Sequence, residues 1–140
     1  MIADAPASLR PTIILADKEA DTLLDLAIAL SDRCPDLCRM LADEVDRAKI
    51  VAKSDLPSNV TAIGSIVRFH DEGSDTVRTV EIVYPSQADI ALDRISVMSP
   101  IGAGLIGLSE GQSISWPDLQ GRYRTLSIQR VTRPGKSDER

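Results

Sequence analysis

The stretch at residues 94–116, RISVMSPIGAGLIGLSEGQSISW, constrains the fold of this 140-residue chain more than any other segment. It begins with the alternation of a strand, because Ile95 and Val97 recur on one side of the backbone. Pro100 then ends the strand, since its fixed φ and missing N–H suit the first turn of a short helix. An apolar segment follows, and Gly111 turns the chain into a further strand. The pattern predicts strand, exposed corner, short helix, turn and strand.

The three glycines of the predicted short helix, Gly102, Gly104 and Gly107, match the dinucleotide-binding pattern GxGxxG. That pattern functions within a βαβ unit, which also needs a second parallel strand and an acidic residue about 20 residues later. Here a turn at Gly111 and another β-segment follow within ten residues, which leaves no room for the crossover. We therefore interpret the glycines as supports for a tight corner and for close packing of the helix on a sheet, and we predict no cofactor.

Two segments before residue 53 carry hydrophobic residues at helical spacing. The stripe of the first is Leu23, Leu26, Ala27 and Leu30, and that of the second is Leu37, Leu41, Val45 and Ala48. Asp17 is the predicted N-cap of the first helix, and Pro35 separates the two because the residue before a proline avoids the helical region. Each helix has one apolar face, so we expect the segments to pack as a short antiparallel hairpin of the coiled-coil type.

The hydrophobic period changes from 3.6 towards 2 after residue 59. Strands are predicted at 65–69, 77–84 and 123–131, in addition to the two in the opening stretch, and a short β-segment at 12–15 is expected to pack against them. The fold class is therefore α+β, with a helical hairpin followed by an antiparallel sheet and one short helix. The predicted units are a lead-in and hairpin (1–53), a linker (54–59), a sheet domain (60–134) and a flexible tail (135–140).

Charge is unevenly distributed along the chain. Residues 1–58 hold 7 basic and 11 acidic side chains, whereas residues 59–134 hold 7 and 8. Neither half has the basic excess that autonomous binding to a nucleic-acid backbone requires, and four aromatic residues are too few for stacking on single strands. The sequence also has no apolar run of membrane-spanning length and no secretory signal pattern. We expect a cytoplasmic monomer that has no membrane partner and approaches nucleic acid only indirectly.

The chain has two cysteines, Cys34 and Cys38, and one histidine, His70. The cysteines are either half of a metal site or two free thiols near the tip of the hairpin. A structural zinc ion needs about four ligands, and His70 lies in the other half of the chain. No serine or cysteine has an evident histidine partner for nucleophilic catalysis. We therefore predict free thiols in a reducing compartment, no metal and no catalytic residue.

Two sets of charged residues are candidate contacts. Asp32 and Asp36 flank the predicted hairpin tip, where they either share a divalent cation with a partner or remain solvated, with Asp36 in the first turn of the second helix. The second interpretation is favoured. Arg122, Arg124 and Arg130 recur with even spacing, which places them on one face of the last strand. That face either contacts phosphate or an acidic protein surface, or is the solvent face of a half-buried strand.

Four short segments carry a resemblance to a known family. They are VTAIGSIV at 60–67, RISVMSPIG at 94–102, LIG at 105–107 and EGQ at 110–112. In order and spacing they resemble the C-terminal domain of the Gre-type (GreA/GreB) transcript cleavage factors. Residues 10–14, RPTII, together with the short hairpin, resemble one branch of that family, the regulators of nucleoside diphosphate kinase.

The resemblance implies an FKBP-like domain, in which a curved antiparallel sheet packs against a short helix. It also implies that this domain binds bacterial RNA polymerase at the rim of the secondary channel. The family's docking corner corresponds here to Met98, Ser99, Pro100, Ile101 and Gly102.

In the cleavage factors, a long coiled coil carries acidic residues towards the catalytic metal of the polymerase. The hairpin of this chain is much shorter, and the acidic tip motif of those factors cannot be aligned with it. The leading hypothesis is therefore a non-enzymatic regulator that binds the polymerase and modulates elongation or competes with other channel factors. Two alternatives stay open: an active transcript cleavage factor, and an FKBP-like peptidyl-prolyl isomerase. A shared fold does not by itself establish isomerase activity.

Overall fold

The computed structural model describes residues 11–118 and 120–133. A hairpin of two helices, α1 (Asp17–Ala29) and α2 (Pro35–Arg47), forms the N-terminal part. The side chains that these helices bury in the main core are Ala20, Leu23, Ala27, Cys38, Leu41 and Val45. The predicted apolar stripes are confirmed at their central positions, because each helix buries one face. Most of the predicted lead-in and the whole predicted tail lie outside the described residues.

Helix α1 begins without a side-chain cap. Its N-cap residue is Ala16, in extended conformation, and Asp17 is already helical. The prediction that Asp17 caps this helix is therefore wrong. Strand β1 (Ile14–Ala16) runs directly into α1, so an apolar residue occupies the cap position.

Two short strands flank the hairpin. Strand β2 (Lys49–Val51) follows α2 and pairs with β1 in parallel, with Ile14 opposite Lys49. The backbone N–H of Ile14 also donates to the carbonyl of Gly107 at 3.1 Å. Ile13 and Leu15 are buried in the main core with side chains of the later strands, as predicted for residues 12–15. The sequence did not predict β2, because three residues are too few to show a period of 2.

A five-stranded sheet forms the C-terminal part of the described chain. Its strands are β3 (Ile66–Asp71), β4 (Thr76–Val83), β5 (Arg94–Ser96), β6 (Ser113–Pro117) and β7 (Tyr123–Thr132). They lie in the order β5-β4-β3-β7-β6, and helix α3 (Pro100–Leu105) connects β5 at one edge with β6 at the other. The α+β class, the helical hairpin, the five predicted strands and the short helix are confirmed.

The sheet is mixed, so the prediction of an antiparallel sheet is wrong in one place. Strand β5 pairs in parallel with β4, with Glu81 opposite Arg94, whereas the other neighbouring strands are antiparallel. Residues 84–93 form a long connection with two 3-10 turns instead of a tight hairpin. This connection brings the chain back beside Glu81, and β5 then runs parallel to the last three residues of β4. The FKBP-like description stays a prediction.

The glycines of α3 allow the helix to lie close to the sheet. A Cβ atom on Gly102 would lie 2.1 Å from the carbonyl oxygen of Ser96, and one on Gly104 would lie 2.9 Å from the ring of Trp116. Gly107 has φ +82°, in the left-handed region that glycine adopts without strain. The interpretation of these glycines as packing and corner residues is confirmed, since β5 and β6 lie at opposite sheet edges and form no βαβ unit.

The segment predicted as a linker packs against the rest of the protein. Leu56 is buried in a small cluster with Ala16, Val60 and Ala62. Arg133, at the end of the described chain, donates from its guanidinium to the carbonyls of Pro57 and Val60. The division into the units 1–53 and 60–134 stays a prediction. Within the described residues, no helix has the length and apolar character to cross a membrane.

Candidate functional site

The predicted docking corner is held by the side chain of Ser99. This residue is the N-cap of α3: its Oγ accepts from the N–H of Gly102 at 3.1 Å and donates to the carbonyl of Ser96 at 2.6 Å. Pro100 occupies the first helical position, where its fixed φ suits the turn. An N-cap serine typically stabilises a helix by about 1 kcal/mol. Ser99 therefore fixes the shape of the corner.

The five predicted contact residues differ in accessibility. Met98 is buried, at 8% exposure, and Gly102 is also buried beneath the corner. Ser99, Pro100 and Ile101 are half-buried and have surface that a partner can contact. The structure therefore places three of the five at the surface and two in its support.

A cavity of about 470 Å³ lies beside the corner. Its apolar lining includes Ile90, Ile95, Pro100, Ile101, Trp116 and Leu126. Its charged lining consists of Arg78, Asp93, Arg94, Asp118 and Arg124. A mostly apolar cavity of this size with a few charged groups is typical of a site that receives a side chain or a small ligand.

Two aliphatic side chains project beside this cavity. Ile90 is 86% exposed and Leu92 is 59% exposed. Both belong to a 3-10 turn that is held in place, because the Asp89 carboxylate accepts from the N–H of Ala91 at 3.1 Å. We define Ile90, Leu92, Ser99, Pro100 and Ile101 as the corner surface. Isolated exposed aliphatics are common, but Ile90 lines the apolar cavity and Leu92 belongs to the same turn. Exposed apolar side chains at a cavity are a common feature of interaction sites.

The sequence interpretation missed Ile90 and Leu92, since it treated residues 85–93 only as a polar loop. The available signal was two large aliphatic side chains within a segment that has neither helical nor strand periodicity. Aliphatic residues in such a segment do not belong to the buried face of a helix or strand. Whether they are exposed depends on the conformation of the loop. That conformation was not predictable from spacing.

The arginines of the cavity are neutralised to different degrees. Arg124 contacts the buried carboxylate of Asp71 at 3.2 Å and that of Asp118 at 3.9 Å. Hydrogen bonding from the backbone N–H of Arg122 is the main cause that lowers the pKa of Asp118, and the nearby Arg124 charge acts in the same direction. Within the described part of the chain, Arg78 has no ion pair, so it is the guanidinium most available to an acidic partner.

The predicted arginine face on the last strand does not exist as a single face. In β7, Arg130 pairs with Arg68 whereas Ile128 pairs with Phe69, so Gln129 is an extra residue that forms a bulge. A bulge reverses the alternation of side chains that follow it. Arg124 therefore lies on the face that carries Ile128, and Arg130 lies on the opposite face. Arg122 precedes β7 and is exposed.

The hairpin tip is charged and solvated. Asp32 and Asp36 are both exposed, and Asp36 lies in the first turn of α2, as predicted. The only ion pair that the described residues show for either carboxylate joins Asp36 to Arg39 at 3.6 Å, and both side chains are exposed. A search of the described chain finds no group of three or more His, Cys, Asp or Glu side chains arranged to hold a metal ion.

The two cysteines lie at the start of α2. Cys34 is the N-cap residue and Cys38 follows one turn later. Both are free thiols, as predicted. Their sulfur atoms are 3.5 Å apart.

The base of the hairpin is attached to the sheet part by a buried carboxylate. Oε2 of Glu19, on α1, accepts from the backbone N–H of Ile63 at 2.8 Å. Burial raises the pKa of Glu19, and the N–H of Ile63 and the charge of Arg133 oppose that rise. The hairpin is therefore connected to the domain that carries the corner surface.

Comparisons with known proteins agree with this architecture. Residues 56–133 match the family described as "Transcription elongation factor, GreA/GreB, C-term". A "Regulator of nucleoside diphosphate kinase" from Escherichia coli (strain K12) is 34% identical over 116 residues, which cover 83% of this chain and 85% of that protein. A "Transcription elongation factor GreA" from Rhodospirillum rubrum is 40% identical over 74 residues, which cover 53% of this chain and 47% of that protein.

A solved structure shares most of the fold. The "Prokaryotic transcription elongation factor GreA/GreB from Nitrosomonas europaea" superposes with a TM-score of 0.67 and 32% identity, and the match covers 88% of this chain and 99% of that one. The family match spans more than half of the sequence and includes the sheet, α3 and the corner. This chain belongs to the GreA/GreB family of transcription elongation factors.

Proposed function

We propose that this protein is a transcription regulator that binds bacterial RNA polymerase through the corner surface, at the rim of the secondary channel. The observation that carries the proposal is the pair of exposed side chains, Ile90 and Leu92, beside the cavity at the capped start of α3. Family membership supports the choice of partner, because the GreA/GreB relatives are named as transcription elongation factors.

The corner surface is suited to binding at low entropic cost. Removing an aliphatic side chain of this size from water contributes about 1.5–3 kcal/mol. The Asp89 hydrogen bond and the Ser99 cap already hold the two turns that present these side chains. Little conformational freedom is then lost on association, which is the usual benefit of a preorganised surface.

The polymerase-binding regulator acts without cleaving RNA. Each helix of the hairpin has 13 residues, which corresponds to a length of about 20 Å. A tip at this distance from the docking domain sits near the entrance of a deep channel, and Asp32 and Asp36 are solvated carboxylates there. The protein modulates elongation, or competes with other channel factors, by occupying the rim in the cytoplasm.

Binding is tested by retention on immobilised core RNA polymerase. Ile90→Asp places a charge on the corner surface beside the cavity, and we expect its affinity to fall at least about tenfold, as the loss of 1.4 kcal/mol implies. The matched control is Ile28→Asp, because Ile28 is 74% exposed on α1 and lies outside the corner surface. Ser99 is unsuitable for this test, since its replacement removes the cap. Equal retention of the Ile90 variant and wild type would exclude the proposed surface.

Family membership also favours the alternative of an active cleavage factor. A second assay distinguishes a regulator that does not stimulate cleavage from a factor that does. Backtracked elongation complexes are incubated with the protein and Mg²⁺, and the release of short 3′ RNA fragments is measured. We expect release at the intrinsic rate of the polymerase, with or without the protein. Faster release that is abolished in Asp32→Asn/Asp36→Asn would establish cleavage instead. None of the relatives described above is named as a peptidyl-prolyl isomerase, and no observation favours that activity.

A further inference from the structure

The two thiols at the hairpin tip are close enough to react with each other. The distance from Cys34 Sγ to Cys38 Sγ is 3.5 Å. The N–H of Cys38 donates to the carbonyl of Cys34 at 3.0 Å, so the residues are one helical turn apart. In an ideal helix this spacing places their Cα atoms about 6 Å apart, which is within the range of about 4.4–6.8 Å found in disulfides.

The two thiols have different environments. Cys38 is 3% exposed and packs in the main core, whereas Cys34 is half-buried at the surface. The backbone of Cys34 is not helical, with φ −142° and ψ 69°, and it lies at the end of the loop that joins the helices. An oxidant in solution therefore reaches Cys34 first. Cys34 lies outside the regular helix, where its N–H donates to the carbonyl of Leu30 at 3.1 Å, whereas Cys38 lies within α2 and packs in the core.

We propose that Cys34 and Cys38 form a reversible redox site, which a peroxide converts to an intramolecular disulfide. The thiolate of Cys34 attacks one peroxide oxygen: an S–O bond forms, the O–O bond breaks, and the departing oxygen leaves as water after protonation. The sulfur of Cys38 then attacks the sulfenic acid of Cys34. An S–S bond forms, the S–O bond breaks, and the hydroxide takes the Cys38 proton and leaves as a second water molecule.

The order of attack follows from the environment of each sulfur. Burial raises the pKa of the Cys38 thiol to about 11, with the neighbouring Cys34 contributing in the same direction. The thiolate is the reactive form, so Cys38 is a poor first nucleophile at neutral pH. Once Cys34 is a sulfenic acid, the adjacent sulfur attacks within the molecule.

Oxidation changes the charged tip of the hairpin. The sulfur atoms must approach from 3.5 Å to about 2.05 Å, and Cys34 is the partner whose backbone lies outside the regular helix. The loop residues before it, including Asp32, move with it. The disulfide closes a loop of only a few residues, so it constrains the unfolded chain little, and ordinary thiol reductants are expected to reopen it. This redox site does not depend on the proposed function.

The test uses the full-length protein treated with hydrogen peroxide. The protein is then denatured and alkylated with iodoacetamide, so that the buried Cys38 is also accessible. Mass spectrometry is expected to show that neither thiol is alkylated and that the mass is two hydrogen atoms below that of the reduced, unalkylated chain, and dithiothreitol is expected to reverse both results. Cys38→Ala is expected to stop at a sulfenic acid on Cys34 that dimedone traps. Cys34→Ser is expected to leave Cys38 unmodified, and serine is a good N-cap, so this variant keeps the start of α2.

Three outcomes would overturn the proposal. They are full alkylation of both cysteines after peroxide treatment, a disulfide that joins two chains through Cys34, and oxidation of wild-type Cys34 to sulfinic acid without any disulfide. Thermal unfolding of each variant before treatment shows that it is folded. A second variant, Cys38→Ser, replaces Cys38→Ala where the alanine variant unfolds.

Discussion

The helical hairpin and the corner of the sheet domain present different chemistry to solvent. The corner exposes Ile90 and Leu92 beside an apolar cavity. The hairpin exposes Ile28 on α1, but its tip, residues 31–39, carries two exposed aspartates and two exposed arginines. A partner that buries apolar surface therefore has more to gain at the corner than at the hairpin.

The two regions also differ in how their shape is maintained. The corner has a serine cap on α3 and an ion pair between Arg124 and the buried Asp71. The hairpin has no side-chain cap on either helix. At its tip, the ion pair between Asp36 and Arg39 is exposed, and its buried ion pair, between Arg47 and Glu44 at 2.6 Å, lies at the other end of α2. Rigid geometry is what a docking surface requires, whereas a solvated tip tolerates change. The following substitutions test this contrast.

Gly102→Ala is expected to have the largest effect on stability. The new Cβ would lie 2.1 Å from a backbone carbonyl oxygen, so the corner must shift. Overpacking of this kind costs about 3 kcal/mol. The matched control is Gly64→Ala, where φ is +91° but no atom lies within 4 Å of the added Cβ, and a left-handed alanine costs only about 1–2 kcal/mol. Urea unfolding measures both values, and equal losses would show that the corner is not tightly packed.

Arg124→Met is expected to destabilise the protein by about 2 kcal/mol, since it leaves the Asp71 carboxylate buried without its cation. The estimate is below that for a fully buried pair because Arg124 is partly exposed. Arg39→Met removes the exposed pair on the hairpin, and we expect little or no change. Thermal or urea unfolding measures the stability of both variants relative to wild type. A loss for Arg39→Met as large as that for Arg124→Met would contradict the contrast between the regions.

Ser99→Ala removes the cap of α3, and the expected loss is about 1 kcal/mol. Its counterpart on the hairpin is Asp36→Ala, which removes a first-turn acid that makes no cap hydrogen bond. That variant is expected to change stability by less than about 0.5 kcal/mol. Chemical denaturation measures the free energy of unfolding of both variants. An unchanged stability for Ser99→Ala would show that the observed cap does not maintain the corner.

The smallest effect concerns the attachment of the hairpin through Glu19. Because burial raises its pKa above the ordinary value of 4.5, the folded protein holds this proton more tightly than the unfolded chain. The contribution of Glu19 to stability is therefore greatest below pH 4.5 and falls as the pH rises through the raised pKa. Glu19→Gln removes this part of the pH dependence, while its amide oxygen still accepts from Ile63. Unfolding free energies between pH 4 and pH 8, compared for wild type and Glu19→Gln, should differ in slope. Parallel curves would mean that Glu19 titrates as an exposed carboxyl.

Local patterns in the sequence predicted most of the elements. The structure confirms the helical stripes around Leu23 and Leu41 and the alternation in β3 and β4. Each pattern arises within a single helix or strand that buries one of its faces. The glycines at 102, 104 and 107 were also interpreted correctly, since the spacing of the following turn excluded a crossover.

Features that depend on pairing between distant residues were not predictable in this way. The bulge at Gln129 moves Arg130 to the other face, and it is visible only when β7 is paired with β3. The parallel direction of β5 depends on the path of residues 84–93. The contact between Glu19 and Ile63 joins positions 44 residues apart. The hydrophobic period of a single segment contains no information about which distant residues it pairs with.

We propose that docking to the polymerase takes place through the corner surface. The most direct test measures the dissociation constants of wild type, Ile90→Asp and Ile28→Asp for core RNA polymerase under one buffer condition. We expect at least about tenfold weaker binding for Ile90→Asp and an unchanged dissociation constant for Ile28→Asp. The reverse order, with the hairpin variant impaired and the corner variant unaffected, would contradict it.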